Sequence, residues 1–190
     1  GGSGNIADGN GSTVGGGLGN ATAGRASAIG GGEGNQATGD GSAVGGGTSN
    51  LASGFDAAIA GGRNNQATNE WTTISGGHDN LADGREGTIG GGSSNAASGE
   101  HSAVGGGNSN TAAGFGAVVG GGVHNRAAAD GAAVVGGGNS QATGEGAFVG
   151  GGCCHTASGW AAVIGGGWAN VVTGTQATVG GGSENRALAQ

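Results

Sequence analysis

Residues 29–59 read IGGGEGNQATGDGSAVGGGTSNLASGFDAAI, which is two passes through one 15-residue pattern and the first residue of a third. The same pattern runs through the whole chain without an insertion. Val or Ile stands at 14, 29, 44, 59, 74, 89, 104, 119, 134, 149, 164 and 179, so the chain holds 12 full repeats and part of a thirteenth. Numbered from Gly1 as column 1, the unit is G-G-x-x-N-x-A-x-G-x-x-[SA]-[AT]-[VI]-G. Columns 1 and 2 are Gly in all 13 rows, and column 5 is Asn in 11, the exceptions being Ser140 and His155. Column 7 is Ala in 11 rows, with Thr22 and Val172 departing, and column 9 is Gly in 10. A fixed period of this length is the mark of a repeat architecture in which each unit buries its inner face only against its neighbours.

Within a unit, Asn5, Ala7 and Gly9 alternate with variable residues, as do Ser12 and Val14. That is the period-2 signature of two short strands. So much glycine opposes a helix. The glycines of columns 15, 1, 2 and 9 fall between the strands, where the chain must turn tightly and backbones must pass close to one another. The expected fold is all-β: a parallel two-sided β-solenoid of about 12.7 coils with two short strands each, stacked at about 4.8 Å. Its core row is Val14, Ile29, Val44, Ile59, Ile74, Ile89, Val104, Val119, Val134, Val149, Ile164 and Val179. Residues 1–190 form one uninterrupted array, read as a piece of a longer repeat protein.

Composition narrows the alternatives. With 55 Gly and 33 Ala but only 4 Leu, 3 Phe and 3 Trp, the chain cannot fill the core of a conventional globular enzyme. Pro is absent and Gly does not recur every third residue, which excludes collagen. No stretch approaches the roughly 18 apolar residues of a membrane-spanning helix, so no membrane insertion by this segment is expected. Such a thin roll needs hydrogen bonds between coils, and the Asn of column 5 suits a stacked amide ladder. Net charge is −7, with 5 basic residues, all Arg and widely dispersed, so nucleic acid and anionic membrane surfaces are not expected partners.

Charge is confined by column. Thirteen of the 17 charged residues lie in columns 3, 4, 10 and 11, and Asp8, Asp83, Arg126 and Arg186 lie in columns 6 and 8. Column 13 has none. Since Val14 faces inward, its neighbour Thr13 must face out, and the row continues through Ala28, Ala43, Ala58, Thr73, Thr88, Ala103, Val118, Ala133, Phe148, Val163 and Thr178. An outward row kept small and uncharged over twelve coils is a candidate subunit interface. Five of the six aromatics sit at turns, namely Phe55, Trp71, Phe115, Trp160 and Trp168, and are candidate ligand-contact positions. Packing of these rings on the neighbouring coil's turn or against another subunit is the other reading. Glu70, Arg85 and Glu100 follow one another in column 10, a spacing that suggests a weakly stabilising ion-pair ladder.

No constellation for catalysis, metal binding or a cofactor stands out. His78, His101, His124 and His155 occupy four different columns, and a convex roll of short turns has no cleft in which a nucleophile and base converge. The Gly-Gly-Gly runs recur in every coil without the strand–turn–helix setting of a phosphate loop. Asp is absent from the repeated columns, and Asp130 with Glu145 makes only a weak metal pair. Cys153 and Cys154 are adjacent turn residues: free, bridged to each other, or linked between chains.

The runs Val44-Gly45-Gly46-Gly47-Thr48-Ser49-Asn50-Leu51-Ala52-Ser53-Gly54 and Val104-Gly105-Gly106-Gly107-Asn108-Ser109-Asn110-Thr111-Ala112-Ala113-Gly114 resemble the head repeats of YadA-like trimeric autotransporter adhesins, which also recur in phage tail fibres. The resemblance covers essentially the whole chain. It implies a left-handed parallel β-roll and three rolls packed side by side as a homotrimer, with column 13 at the interface. It also implies an extracellular place, on a bacterial surface or a phage virion, and attachment to a host-surface protein or glycan. The family's usual head repeat is one residue shorter, and the extra residue here enlarges the Gly15-Gly16-Gly17 turn. Two alternatives differ in class. The repeat also resembles ryegrass-type ice-binding β-rolls, whose flat face would be column 13 or column 8 with Thr38, Ser53, Thr68, Ser98, Thr143, Ser158 and Thr173. The third reading is a passive fibre shaft.

Overall fold

A computed structural model describes residues 1–188. The chain is an all-β parallel β-solenoid of about 12 turns, each turn one sequence repeat long, with no helix among the described residues. Each turn contributes one two-residue strand at columns 6–7 and another at columns 13–14. The series starts with β1 (Ile6–Ala7) and β2 (Thr13–Val14) and closes with β24 (Thr178–Val179) and β25 (Arg186–Ala187). Two compact units divide it, Gly1–Ser94 and Asn95–Gln190. In the first, Ile6 pairs with Ala21 and Ala21 with Gln36, while Thr13 pairs with Ala28 and Ala28 with Ala43. In the second the register is the same, Ala96 on Thr111 and Val118 on Ala133.

Strand alternation sends columns 5, 7, 12 and 14 inward. In the third turn that means Asn35, Ala37, Ser42 and Val44, all buried. Side chains this small let the two sheets close over one another, and in three turns the inner hydroxyl donates to the column-9 carbonyl, Ser27 to Gly24, Ser42 to Gly39 at 2.7 Å and Thr72 to Asn69. Thr13, Ala28, Thr73 and Thr88 point out and are exposed, as the alternation requires.

The interior amide ladder forms. Asn50 Oδ1 accepts from the backbone N–H of Asn65 at 3.0 Å and from Asn65 Nδ2 at 3.2 Å. Its own Nδ2 donates to Asn35 Oδ1 at 3.1 Å and to the Gly46 and Gly62 carbonyls at 3.0 Å each. One side chain therefore ties three successive turns, at a position where an unpaired backbone carbonyl would be costly.

The second unit breaks this ladder twice. Ser140 is too short to reach the carbonyls that an Asn would serve, and His155 N–H reaches only its Oγ, at 3.3 Å. His155 stands in for Asn more closely: Nδ1 accepts from Asn170 N–H at 3.1 Å, which leaves the ring hydrogen on Nε2. That Nε2 occupies the place of an Asn Nδ2, since a Cβ on Gly152 would stand 2.7 Å from it just as one on Gly17 would stand 2.7 Å from Asn20 Nδ2. It nevertheless makes no hydrogen bond, in a side chain only 1% exposed. Replacing Ser140 and His155 together by Asn is expected to stabilise this unit by about 2 kcal/mol. A urea or thermal midpoint that falls instead would show that the ladder is not the limiting interaction there.

Two features go beyond the two-strand reading. Column 3 forms a third line of parallel bridges, Ser3 on Leu18 and Leu18 on Glu33 in the first unit, Gly138 on Cys153 and Cys153 on Trp168 in the second. Positive φ is also not confined to glycine. Among the described residues, all 17 non-Gly residues with positive φ lie in columns 4 and 11, including Ser49, Trp71, Cys154 and Ala161. The reason is hydrogen-bond direction. Most strand N–H groups point to the next turn, as Ala21 does to Asn35, whereas the left-handed residues turn theirs back, Ser49 to Glu33 and Trp71 to Phe55. These positions knit each coil to the one before it, and the gain offsets the cost of a left-handed L-residue.

Candidate functional site

Three surfaces carry the residues singled out above. The first is the outward face of the column-13 strands. In the first unit it is a smooth band of Thr13, Ala28, Ala43, Ala58, Thr73 and Thr88, with Gly15, Gly30 and Gly45 beside it and no charge. In the second unit it is more apolar. Val118 is 42% exposed and Phe148 38%, with Ala103, Ala133 and Val163 half-buried between and beside them. Val118, Ala133, Phe148 and Val163 are consecutive rungs in register. Val135, in a column that is usually glycine, adds an apolar group that is 52% exposed. Pattern reading missed it; a Val in a glycine column is the signal that would have found it.

The second surface is the outward face of columns 6 and 8, where Gln and Leu alternate in column 6 from Gln36 to Leu81. In the first unit Gln36, Leu51, Gln66 and Leu81 line a shallow cavity of about 470 Å³ with Ser49, Asn64 and Asp79 at its edge. Asp79 accepts from Asn64 Nδ2 at 3.1 Å and faces His78 Nδ1 at 3.0 Å; these two bonds, His78 first, hold its carboxyl below the usual carboxylate range.

The third is the edge formed by columns 10 and 11. In the first unit the aromatic turns pack on their neighbours: Phe55 meets Trp71 edge-on at 5.9 Å between centroids. The Arg85 guanidinium lies 4.6 Å from the Trp71 ring centroid, and its Nε reaches Glu70 at 3.3 Å. Elsewhere on this edge, the backbone N–H of Arg25 and then its guanidinium bond Asp40, which keeps that carboxyl below its ordinary range. In the second unit Phe115 packs edge-on against His101 at 5.2 Å. Trp160 is 50% exposed beside Asp130 and Glu145. Trp168 is separate from these, in the column-3 bridge line, and 50% exposed.

The four histidines are not brought together: His155 is interior, while His78, His101 and His124 lie on the surface. Among the described residues no group of three or more His, Cys, Asp and Glu is placed to hold a metal ion. Cys153 and Cys154 are bonded to each other on an outer corner. No helix of the described residues is long and apolar enough to cross a membrane. No protein-family model matches the chain, and no curated protein does. The likeness to adhesin head repeats therefore rests on the repeat motif itself.

Proposed function

We propose that this chain is a segment of an extracellular fibre of the trimeric-adhesin type, self-associating through its column-13 face and acting by multivalent surface contact without catalysis. The observation that carries the reading is the outward-facing, in-register run of Val118, Ala133, Phe148 and Val163, in which Val118 and Phe148 are exposed and which has no charge on it and no covering element from its own chain. A solenoid with so thin a core gains from burying such a face against copies of itself. Side-by-side packing would leave the turn edges, with Phe55, Trp71, Phe115 and Trp160, free for a host-surface protein or glycan. On this reading the fibre stands on a bacterial surface or a phage virion, and its rolls are left-handed and threefold, as the motif's resemblance implies.

Replacing Val118 and Val163 by Asp places a carboxylate at each end of this run of the face. The expected result in sedimentation velocity is dissociation to single chains with unchanged far-UV circular dichroism. A double variant that keeps the parent's mass removes the interface from column 13.

A further inference from the structure

The Asp130–Glu145–Trp160 edge of the second unit sets two carboxylates beside a half-exposed indole. In the first unit the same edge shows how the chain completes such a site by itself. There Glu70 and Trp71 share a turn, and Arg85, one turn on, puts its guanidinium 4.6 Å from the indole centroid and its Nε 3.3 Å from Glu70. Its Nη1 lies 3.8 Å from Glu86. A guanidinium is thus held between carboxylates and an aromatic face, the arrangement its planar, weakly hydrated cation suits best.

The second unit has the same kinds of acceptor on this edge without an arginine, its Trp160 standing in column 10 where Trp71 stands in column 11. Asp130, Glu145 and Trp160 stand on three consecutive turns in column 10, and column 11 beside them is Gly131, Gly146 and Ala161. With almost no side chains in that neighbouring column, a cavity of about 330 Å³ opens along the row, lined by these six residues. Asp130 Oδ1 accepts from Phe115 N–H at 3.0 Å, which fixes the carboxylate in place. Glu145 has no side-chain hydrogen bond or ion pair among the described residues, and columns 10 and 11 carry no Lys or Arg anywhere in this unit.

We propose that this cavity binds the guanidinium side chain of an arginine from a basic peptide segment of a partner protein, with Trp160 as the stacking face and Glu145 and Asp130 as the counter-charges. The site deepens the adhesive reading by naming a partner chemistry, but it lies on the turn edge. Its test is therefore read separately from the oligomeric state.

The probe is an acetylated, amidated tri-arginine peptide titrated into the full chain by calorimetry at low salt. Binding is expected with a dissociation constant on the order of 0.1–1 mM, weakening as salt rises. Trp160→Ala and Glu145→Gln should each weaken it about tenfold. Thr175→Arg, on the exposed turn after Trp160, supplies in cis the arginine that the first unit has and should abolish binding while leaving the fold intact. The net charge of −7 makes nonspecific peptide attraction the main competitor. Binding that Trp160→Ala and Thr175→Arg leave unchanged is that attraction and overturns the proposal. So does an absence of binding to the parent chain, or a neutral oligosaccharide such as cellotetraose binding at Trp160 more tightly than the peptide.

Discussion

Gly47→Ala is expected to destabilise the first unit by more than about 4 kcal/mol, enough to unfold its central turns at room temperature. Gly47 has φ +90, where an L-residue is already strained. The decisive term is steric: an added Cβ would overlap the carbonyl oxygen of Gly62 in the next turn and stand 2.8 Å from the Asn50 amide nitrogen. Both contacts belong to the hydrogen-bonded spine, so neither can move without breaking the ladder. Gly19→Ala is the control. Gly19 also has positive φ, at +63, but nothing lies within 4 Å of the added carbon, so the cost there should be about 1 kcal/mol. Urea titrations followed by circular dichroism measure both. Equal losses at the two sites would mean that backbone strain, and not coil-to-coil contact, requires the glycines of column 2.

Asn50→Ala should cost the same unit about 4 kcal/mol, although it removes a polar side chain from an interior where apolar groups are usually welcome. The substitution leaves the N–H of Asn65 and the carbonyl of Gly46 without a partner, and takes one bond each from Asn65 Nδ2, Asn35 Oδ1 and the Gly62 carbonyl, which keep others. Buried groups left unpaired, and not the lost bonds alone, set that magnitude. Amide hydrogen exchange should show the loss localised to the turns on either side of Asn50, because each repeat leans only on its neighbours. A loss under about 1 kcal/mol would make the ladder an ornament of the packing.

How far the sequence is legible depends on which groups carry the information. Val44, Ala37 and Asn35 declare the inward rows because side-chain chemistry alternates with burial, and Thr13 and Val118 declare the outward row by the same rule. The stacked amides were legible too, since an Asn that recurs once per repeat has an identical neighbour above and below. What escaped reading is carried by the backbone. The bridges of column 3 join residues as unlike as Glu33 and Thr48, and the left-handed positions hold Trp71, Cys154 and Glu184 as readily as glycine. Main-chain N–H groups form those contacts, so residue type hardly records them. At the turn edge the aromatic positions were visible but their partners were not. Arg85 over Trp71 depends on which way a flexible side chain folds back, and the space beside Trp160 depends on glycines in the next column.

The mass of the native chain in solution, taken by light scattering across a dilution series, tests the functional account most directly. The account predicts about three times 17.1 kDa, constant until the lowest concentrations. A single-chain mass of 17.1 kDa at every concentration would contradict it, leaving Val118, Phe148 and Val163 permanently in water and the side-by-side fibre without its interface.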